Sequence, residues 1–171
     1  MNMVSLKDTG SVFFAAALLI AQSQTKNVRA RLSGFQEVPA LSTPATGEFR
    51  GRINSTDSEL AYELEYSGLQ SPVAQAHIHF GQRSVTGGIM IWLCGTASNP
   101  GPAGTPVCPA EGKVSRTVTA ANVVGPSGQG IAAGEFSEAL RALREGIAYA
   151  NVHSTTYGGG EIRGQILDDD R

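Results

Sequence analysis

Apolar and polar residues alternate with a period of two along several short stretches of the chain. Residues 27–32, 47–53 and 59–66 carry an apolar side chain at every second position. Successive side chains of a strand point to opposite faces, so this period predicts strands with one buried face. Less one-sided segments predict further strands at 73–80, 89–94, 113–118, 147–153 and 160–167. The chain therefore predicts an all-β fold, an antiparallel Greek-key-like β-sandwich of about eight strands.

A single short helix is predicted at about residues 135–145. Apolar residues recur there at helical spacing, namely Phe136, Leu140 and Leu143. Ser137 is the predicted N-cap, and Gly146 stands at the predicted C-terminal stop. So short a helix needs to pack on the sheet to persist, and its apolar side is predicted to do so.

The strand predicted at 89–94 is apolar on both faces. Such a strand lies inside a sandwich or leaves one face for a partner. Burial is the simpler expectation. Under the second interpretation, Ile89, Ile91 and Trp92 are candidates for a surface that contacts a protein partner.

Composition limits the class of function. The formal net charge is −2 and charged residues make up 16% of the chain, so no basic face is predicted and nucleic acid is not an expected partner. Glycine accounts for 21 of the 171 residues, which is typical of a β protein with many tight turns. The length corresponds to a single domain, placed at 24–171.

The N-terminal segment carries an uncharged apolar run at 12–21. Spanning a membrane takes about 20 apolar residues, so this run fits the core of a signal peptide better than a transmembrane helix. Residues 1–23 are predicted to be a signal peptide cleaved after Ser23, or else a retained apolar segment. The protein is expected to be exported, either periplasmic or extracellular, and membrane-associated if the segment is retained.

Two cysteines, Cys94 and Cys108, flank a loop rich in Gly, Pro, Ser and Thr. An even number of cysteines in an exported chain predicts a disulfide. The alternative is two unrelated buried thiols. Without a CxxC motif, the sequence does not support a thioredoxin-type or zinc-ribbon site.

The three histidines of the chain lie in two predicted strands. His77 and His79 are two residues apart and so share a face, and His153 ends another strand. If these strands are neighbours, three imidazoles converge as candidate ligands for copper or zinc. Glu161 is the candidate second-shell acceptor for this site. The alternative is a structural network of hydrogen bonds that holds the sheet.

Six motifs, taken in order, resemble the CHRD domain, a family widespread in exported bacterial proteins. They are Phe35–Pro39, Thr43–Gly47, Tyr62–Leu69, Ala76–His79, Tyr149–Ser154 and Gly159–Gln165, and the resemblance covers about residues 27–167. The resemblance implies an extracytoplasmic β-sandwich with a binding role. It does not imply a ligand, and the loop between the two cysteines departs from the plain domain.

A second, local resemblance concerns the segment Ala76–Gly81, which is similar to the copper-ligand strand of copper–zinc superoxide dismutases. By that likeness His77 and His79 would be copper ligands, with His153 as a third. The dismutase centre needs further histidines and an aspartate for zinc. Because this chain has no fourth histidine, a complete dismutase site is not expected.

Two hypotheses follow for the function. The first is a non-catalytic module that binds or assembles with a protein partner, such as a membrane-protein complex, because no catalytic constellation is complete in the sequence. The alternative is a copper or zinc protein with the three-histidine site and superoxide-dismutase-like redox activity.

Overall fold

The computed structural model describes residues 26–169. The predicted signal segment and its cleavage position lie outside the described residues, so both stay predictions. Within the described part, no helix has the length and apolar character needed to cross a membrane.

Within residues 26–169, eight strands and one α-helix make up the regular structure. The strands are β1 (Lys26–Ser33), β2 (Thr46–Ile53), β3 (Leu60–Ser67), β4 (Val73–Phe80), β5 (Ile89–Cys94), β6 (Gly112–Val118), β7 (Ala148–Ser154) and β8 (Ile162–Asp168). The helix α1 (Phe136–Arg144) joins β6 to β7, and short 3-10 turns lie at Gly34–Gln36, Ala120–Asn122 and Ser127–Gln129. The predicted all-β class with one short helix is confirmed.

All eight strands belong to one sheet in the order β5-β4-β7-β8-β1-β2-β3-β6, with every neighbouring pair antiparallel. The sheet is nearly closed. A disulfide between Cys94 and Cys108 ties the end of edge strand β5 to the segment before edge strand β6. The hydroxyl of Tyr62 on β3 donates a hydrogen bond to the carbonyl of Leu93 on β5 across the interior. The predicted disulfide is thus present.

The inner face of the sheet holds one apolar core. On β3 the burial alternates as the sequence predicts, and apolar side chains of all eight strands join the same cluster. The helix adds its buried face to this core through Phe136, Leu140 and Leu143. The predicted N-cap was wrong: the helix begins one residue before Ser137, with Glu135 as N-cap.

The outer face is polar, and part of it is buried. All seven residues of β7 are buried, although only every second one faces the core. Three loops cover this region, and their backbone or side-chain atoms bond to the outward side chains of β4 and β7. The fold therefore contains a second, polar interior, which holds the histidines.

Candidate functional site: a buried histidine cluster

The histidines meet because β4 and β7 are neighbours. In the antiparallel register, Gln75 pairs with His153, His77 with Asn151 and His79 with Tyr149. Outward side chains of these pairs share one face, so the three imidazoles lie together on it. The sequence predicted that the three imidazoles converge if their strands are neighbours, and the structure shows both.

The cluster is tight and almost closed to solvent. One ring nitrogen from each histidine lies within 4.8 Å of the others. The closest pair is His77 Nδ1 and His153 Nε2, 3.2 Å apart. The exposed fractions are 0% for His77, 8% for His79 and 5% for His153.

Backbone carbonyls fix the orientation of two of the rings. His79 Nδ1 lies 2.9 Å from the carbonyl oxygen of Gly87, and His153 Nδ1 lies 2.9 Å from that of Gly158. A carbonyl only accepts, so both Nδ1 atoms carry the proton and both Nε2 atoms present a lone pair. His77 Nδ1 then donates to His153 Nε2, which leaves a lone pair on His77 Nε2.

Two of these lone pairs have no hydrogen-bond partner. His77 Nε2 and His79 Nε2 are buried and make no hydrogen bond to any described residue. A buried polar atom without a partner costs on the order of 1–3 kcal/mol. Uncompensated nitrogens of this kind are what a metal ion would satisfy.

The cluster is neutral at ordinary pH. Burial lowers the pKa of His77 to about 2, with the neighbouring imidazoles adding to the effect. Burial also lowers the pKa of His79 to about 4, and it lowers the pKa of His153. Neutral imidazole is the form that binds a metal, so protons compete little for these nitrogens.

Aromatic rings enclose the cluster on two sides. The Tyr149 ring stacks on the His79 ring, with centroids 4.8 Å apart and planes 4° from parallel. The Trp92 ring meets His77 edge to face at 4.3 Å. The hydroxyl of Tyr149 accepts a hydrogen bond from the amide of Gly87, whose carbonyl holds His79. Tyr149 therefore positions both the ring of His79 and its acceptor.

Glu161, predicted as an acceptor for a ligand imidazole, bonds to other groups among the described residues. Its carboxylate Oε1 accepts from the hydroxyl of Thr43 at 2.8 Å and from the amide of Gln70 at 2.9 Å. The turn between β7 and β8 carries Glu161 toward these two segments. The ring N–H groups of the cluster are accepted by backbone carbonyls and by His153 instead.

The proposed partner surface on β5 is only partly available. Ile91 is fully buried in the core and is not exposed for contact with a partner. Ile89 and Trp92 are half-buried. Trp92 lies between His77 and the loop that the disulfide closes, where a Cβ on Gly101 would approach its ring to 2.7 Å. Trp92 thus belongs to the wall of the histidine cluster.

Sequence reasoning missed a polar network beside the histidines. Asn151 donates to the Glu37 carboxylate at 2.6 Å, and Arg163 places its guanidinium 3.4 Å from the centre of the Tyr149 ring. The side-chain amide of Gln165 donates to the carbonyl of Gly81 at 3.0 Å. The period of two could have predicted part of this network, because Tyr149 and Asn151 alternate with the residues of β7 that face the core and so share the face of the histidines.

Chemically, the cluster is a set of three neutral imidazoles. Such a donor set suits zinc, copper, iron or nickel, and three protein ligands leave a coordination position for a further ligand. Within the described residues, neither a cysteine nor a carboxylate joins the group. The fold and this cluster define an all-β domain with a buried histidine centre.

The family of the domain follows from its sequence. The chain matches the CHRD domain over residues 28–166, nearly its whole length, and it belongs to the CHRD domain family. The resemblance drawn from the six motifs is thereby confirmed. No curated protein matches the chain.

Proposed function

We propose that this CHRD domain binds a copper or zinc ion through His77, His79 and His153. The observation that carries the proposal is the pair of buried Nε2 atoms without partners inside a group of three imidazoles. A structural network would satisfy its polar atoms, and this one leaves two unsatisfied.

The spacing of the nitrogens supports the proposal. Two ligands about 2.0–2.1 Å from a tetrahedral ion lie roughly 3.3 Å apart. One nitrogen from each of the three rings lies within 4.8 Å of the others, so the rings need to draw together on binding.

The test is metal content after reconstitution. Metal-free protein is incubated with copper or zinc, freed of excess ion and measured by elemental analysis. We expect close to one equivalent in the wild type and less than about a tenth in the double variant His77→Ala, His79→Ala. Gln75→Ala is the matched control, because Gln75 lies on β4 beside His153 and is not a ligand.

The state of the variants decides between binding and structure. The double variant is expected to keep the β-sheet circular dichroism spectrum while losing the ion. If it unfolds, His79→Gln alone serves, since it removes one ligand and keeps a polar group of similar size. A wild type that retains less than a tenth of an equivalent of either metal overturns the proposal.

We also propose that the protein works outside the cytoplasm. The disulfide between Cys94 and Cys108 supports this, because disulfides persist in oxidising compartments. Cell fractionation tests it directly. Recovery of the chain from the cytoplasm, with both thiols reduced, would contradict export.

A second candidate function is docking to a protein partner. It is favoured by two large apolar side chains on loops, Phe35 at 76% exposed and Val107 at 80% exposed. Purification in mild detergent should bring a partner along with the wild type and not with Phe35→Ser, Val107→Ser. Val124→Ser, at a less exposed valine, is the control. A strictly monomeric protein without a co-purifying chain would contradict this function.

A further inference from the structure

A buried arginine lies next to the histidine cluster and forms no direct ion pair with any described carboxylate. Arg163 on β8 is 2% exposed, and among the described residues no carboxylate oxygen lies close enough to form an ion pair with it. Its one hydrogen bond to a described residue runs from Nη2 to the carbonyl of Gln82 at 2.9 Å. A guanidinium has five donors, so most of its capacity is unused. The Tyr149 ring and, at longer range, the Glu37 carboxyl act on this charge, and an oxyanion beside it would pair with it directly.

Arg163 lines a small cavity of about 190 Å³. Gln165 of β8 and Arg83 and Ser84 of the β4–β5 loop line the same cavity. No nitrogen of Arg163 is both sealed from solvent and without a partner, so its remaining N–H groups are accessible to a ligand.

The charges around the cavity favour an anion. Two guanidiniums, Arg163 and Arg83, line it together with one carboxyl group, Glu37. That carboxyl is held by Asn151, and its burial raises its pKa to about 7, so near neutral pH it carries only part of a negative charge. Arg83 is exposed, makes only a 3.5 Å contact with Gln36, and lies near enough to Arg163 for its charge to lower the pKa of that guanidinium.

We propose that this cavity binds a small oxyanion, inorganic or carboxylate, held between Arg163 and Arg83. A guanidinium presents paired N–H groups that match two oxygens of such a group. The site is separate from the three-histidine centre and is independent of whether that centre holds a metal, because the Tyr149 ring stands between them.

The test is a titration of the full chain followed by nuclear magnetic resonance. The Nε–Hε signal of Arg163 is monitored in ¹⁵N-labelled protein as sodium phosphate or sodium acetate is added, with sodium chloride at equal ionic strength as reference. We expect a saturable shift with at least one of the two oxyanions. A response to phosphate alone identifies an inorganic ligand, and a response to acetate identifies a carboxylate.

Variants assign the effect to the cavity. Arg83→Gln should raise the dissociation constant of the oxyanion about tenfold or more, because the variant loses one charge-assisted hydrogen bond. Because Arg83 is exposed, this variant tests the site even if changes at Arg163 prevent folding. Arg52→Gln is the matched control, since Arg52 is exposed and remote from the cavity.

Glu37→Gln supplies an independent readout. Removing a negative charge from the wall should leave the affinity unchanged or increase it. Shifts that stay linear and equal for all three salts overturn the proposal. An equal dissociation constant in the wild type and Arg83→Gln would overturn it as well.

Discussion

At the scale of single residues, Gly87 controls the orientation of His79. A Cβ at this position would lie 1.7 Å from the carbonyl oxygen of Phe80, so any side chain forces the loop away. We expect Gly87→Ala to lower the free energy of unfolding by about 1–3 kcal/mol and to weaken metal binding. Urea unfolding and metal titration measure both.

A matched glycine makes this prediction specific. Gly128 has open space around its Cβ position and no left-handed backbone angle, so Gly128→Ala should change the free energy of unfolding by less than about 0.5 kcal/mol. Equal stability of the two variants would show that the loop adapts and does not fix His79.

The Glu37 carboxyl gives the protein a pH response of its own. Burial raises its pKa from 4.5 to about 7 in the folded state. Its contribution to stability is therefore complete below pH 4.5 and is lost as the pH rises through 7. Glu37→Gln keeps an acceptor for Asn151 and removes this titration.

The prediction is a stability difference that depends on pH. The wild type loses stability as the pH rises from 5 to 8, and Glu37→Gln does not. The free energy of unfolding of the variant, relative to that of the wild type, should therefore rise by on the order of 1 kcal/mol between these two pH values. Urea titrations at the two pH values measure the gain. A difference that is the same at both would place the Glu37 carboxyl in a solvated setting.

At the scale of structural elements, the disulfide loop covers Trp92 and through it His77. The crosslink joins residues 14 positions apart, and closing a loop of this size stabilises the fold by about 3 kcal/mol in the chain-entropy model. We expect Cys94→Ala, Cys108→Ala to lose about that much and to shift Trp92 fluorescence to longer wavelength. An unchanged spectrum would show that the loop stays in place without its crosslink.

The strands were predictable from sequence where one face is apolar and the other meets water. On β3 this alternation is complete, and the predicted and observed strands nearly coincide. Strand β7 shows no such contrast in burial, because loops cover its polar face as well. Which loop folds over which face depends on long-range contacts, and these leave no period in the sequence.

The same limit applies to the site. The shared face of His77 and His79 follows from their spacing alone, whereas the acceptors of His79 and His153 are backbone carbonyls. Any residue has a carbonyl, so no side-chain pattern predicts which one will be used. Glu161 was chosen for its chemistry, and the turn before β8 carries it elsewhere.

At the scale of the whole molecule, the neutral histidines make the metal-free fold sensitive to acid. In the unfolded chain a histidine takes up a proton near pH 6.5, whereas burial lowers the pKa of His79 to about 4 and that of His77 to about 2. Their contribution to stability is present above pH 6.5 and is lost as the pH falls, down to about 4 for His79 and further for His77.

The expected slope is about 1.4 kcal/mol per pH unit for each histidine that stays neutral in the fold. Unfolding of the metal-free protein by urea between pH 6.5 and 4 measures it. His79→Gln should show a shallower slope in the same range. A slope no different from that of the wild type would mean that His79 is protonated in the folded state.

The central claim is that the three imidazoles hold one metal ion. Crystals of zinc- or copper-loaded protein, measured by anomalous diffraction at the edge of the metal, test it most directly. We predict one anomalous peak, about 2.0–2.1 Å for zinc from one nitrogen each of His77, His79 and His153. A peak elsewhere, or no peak with the three rings still packed together, would contradict the claim.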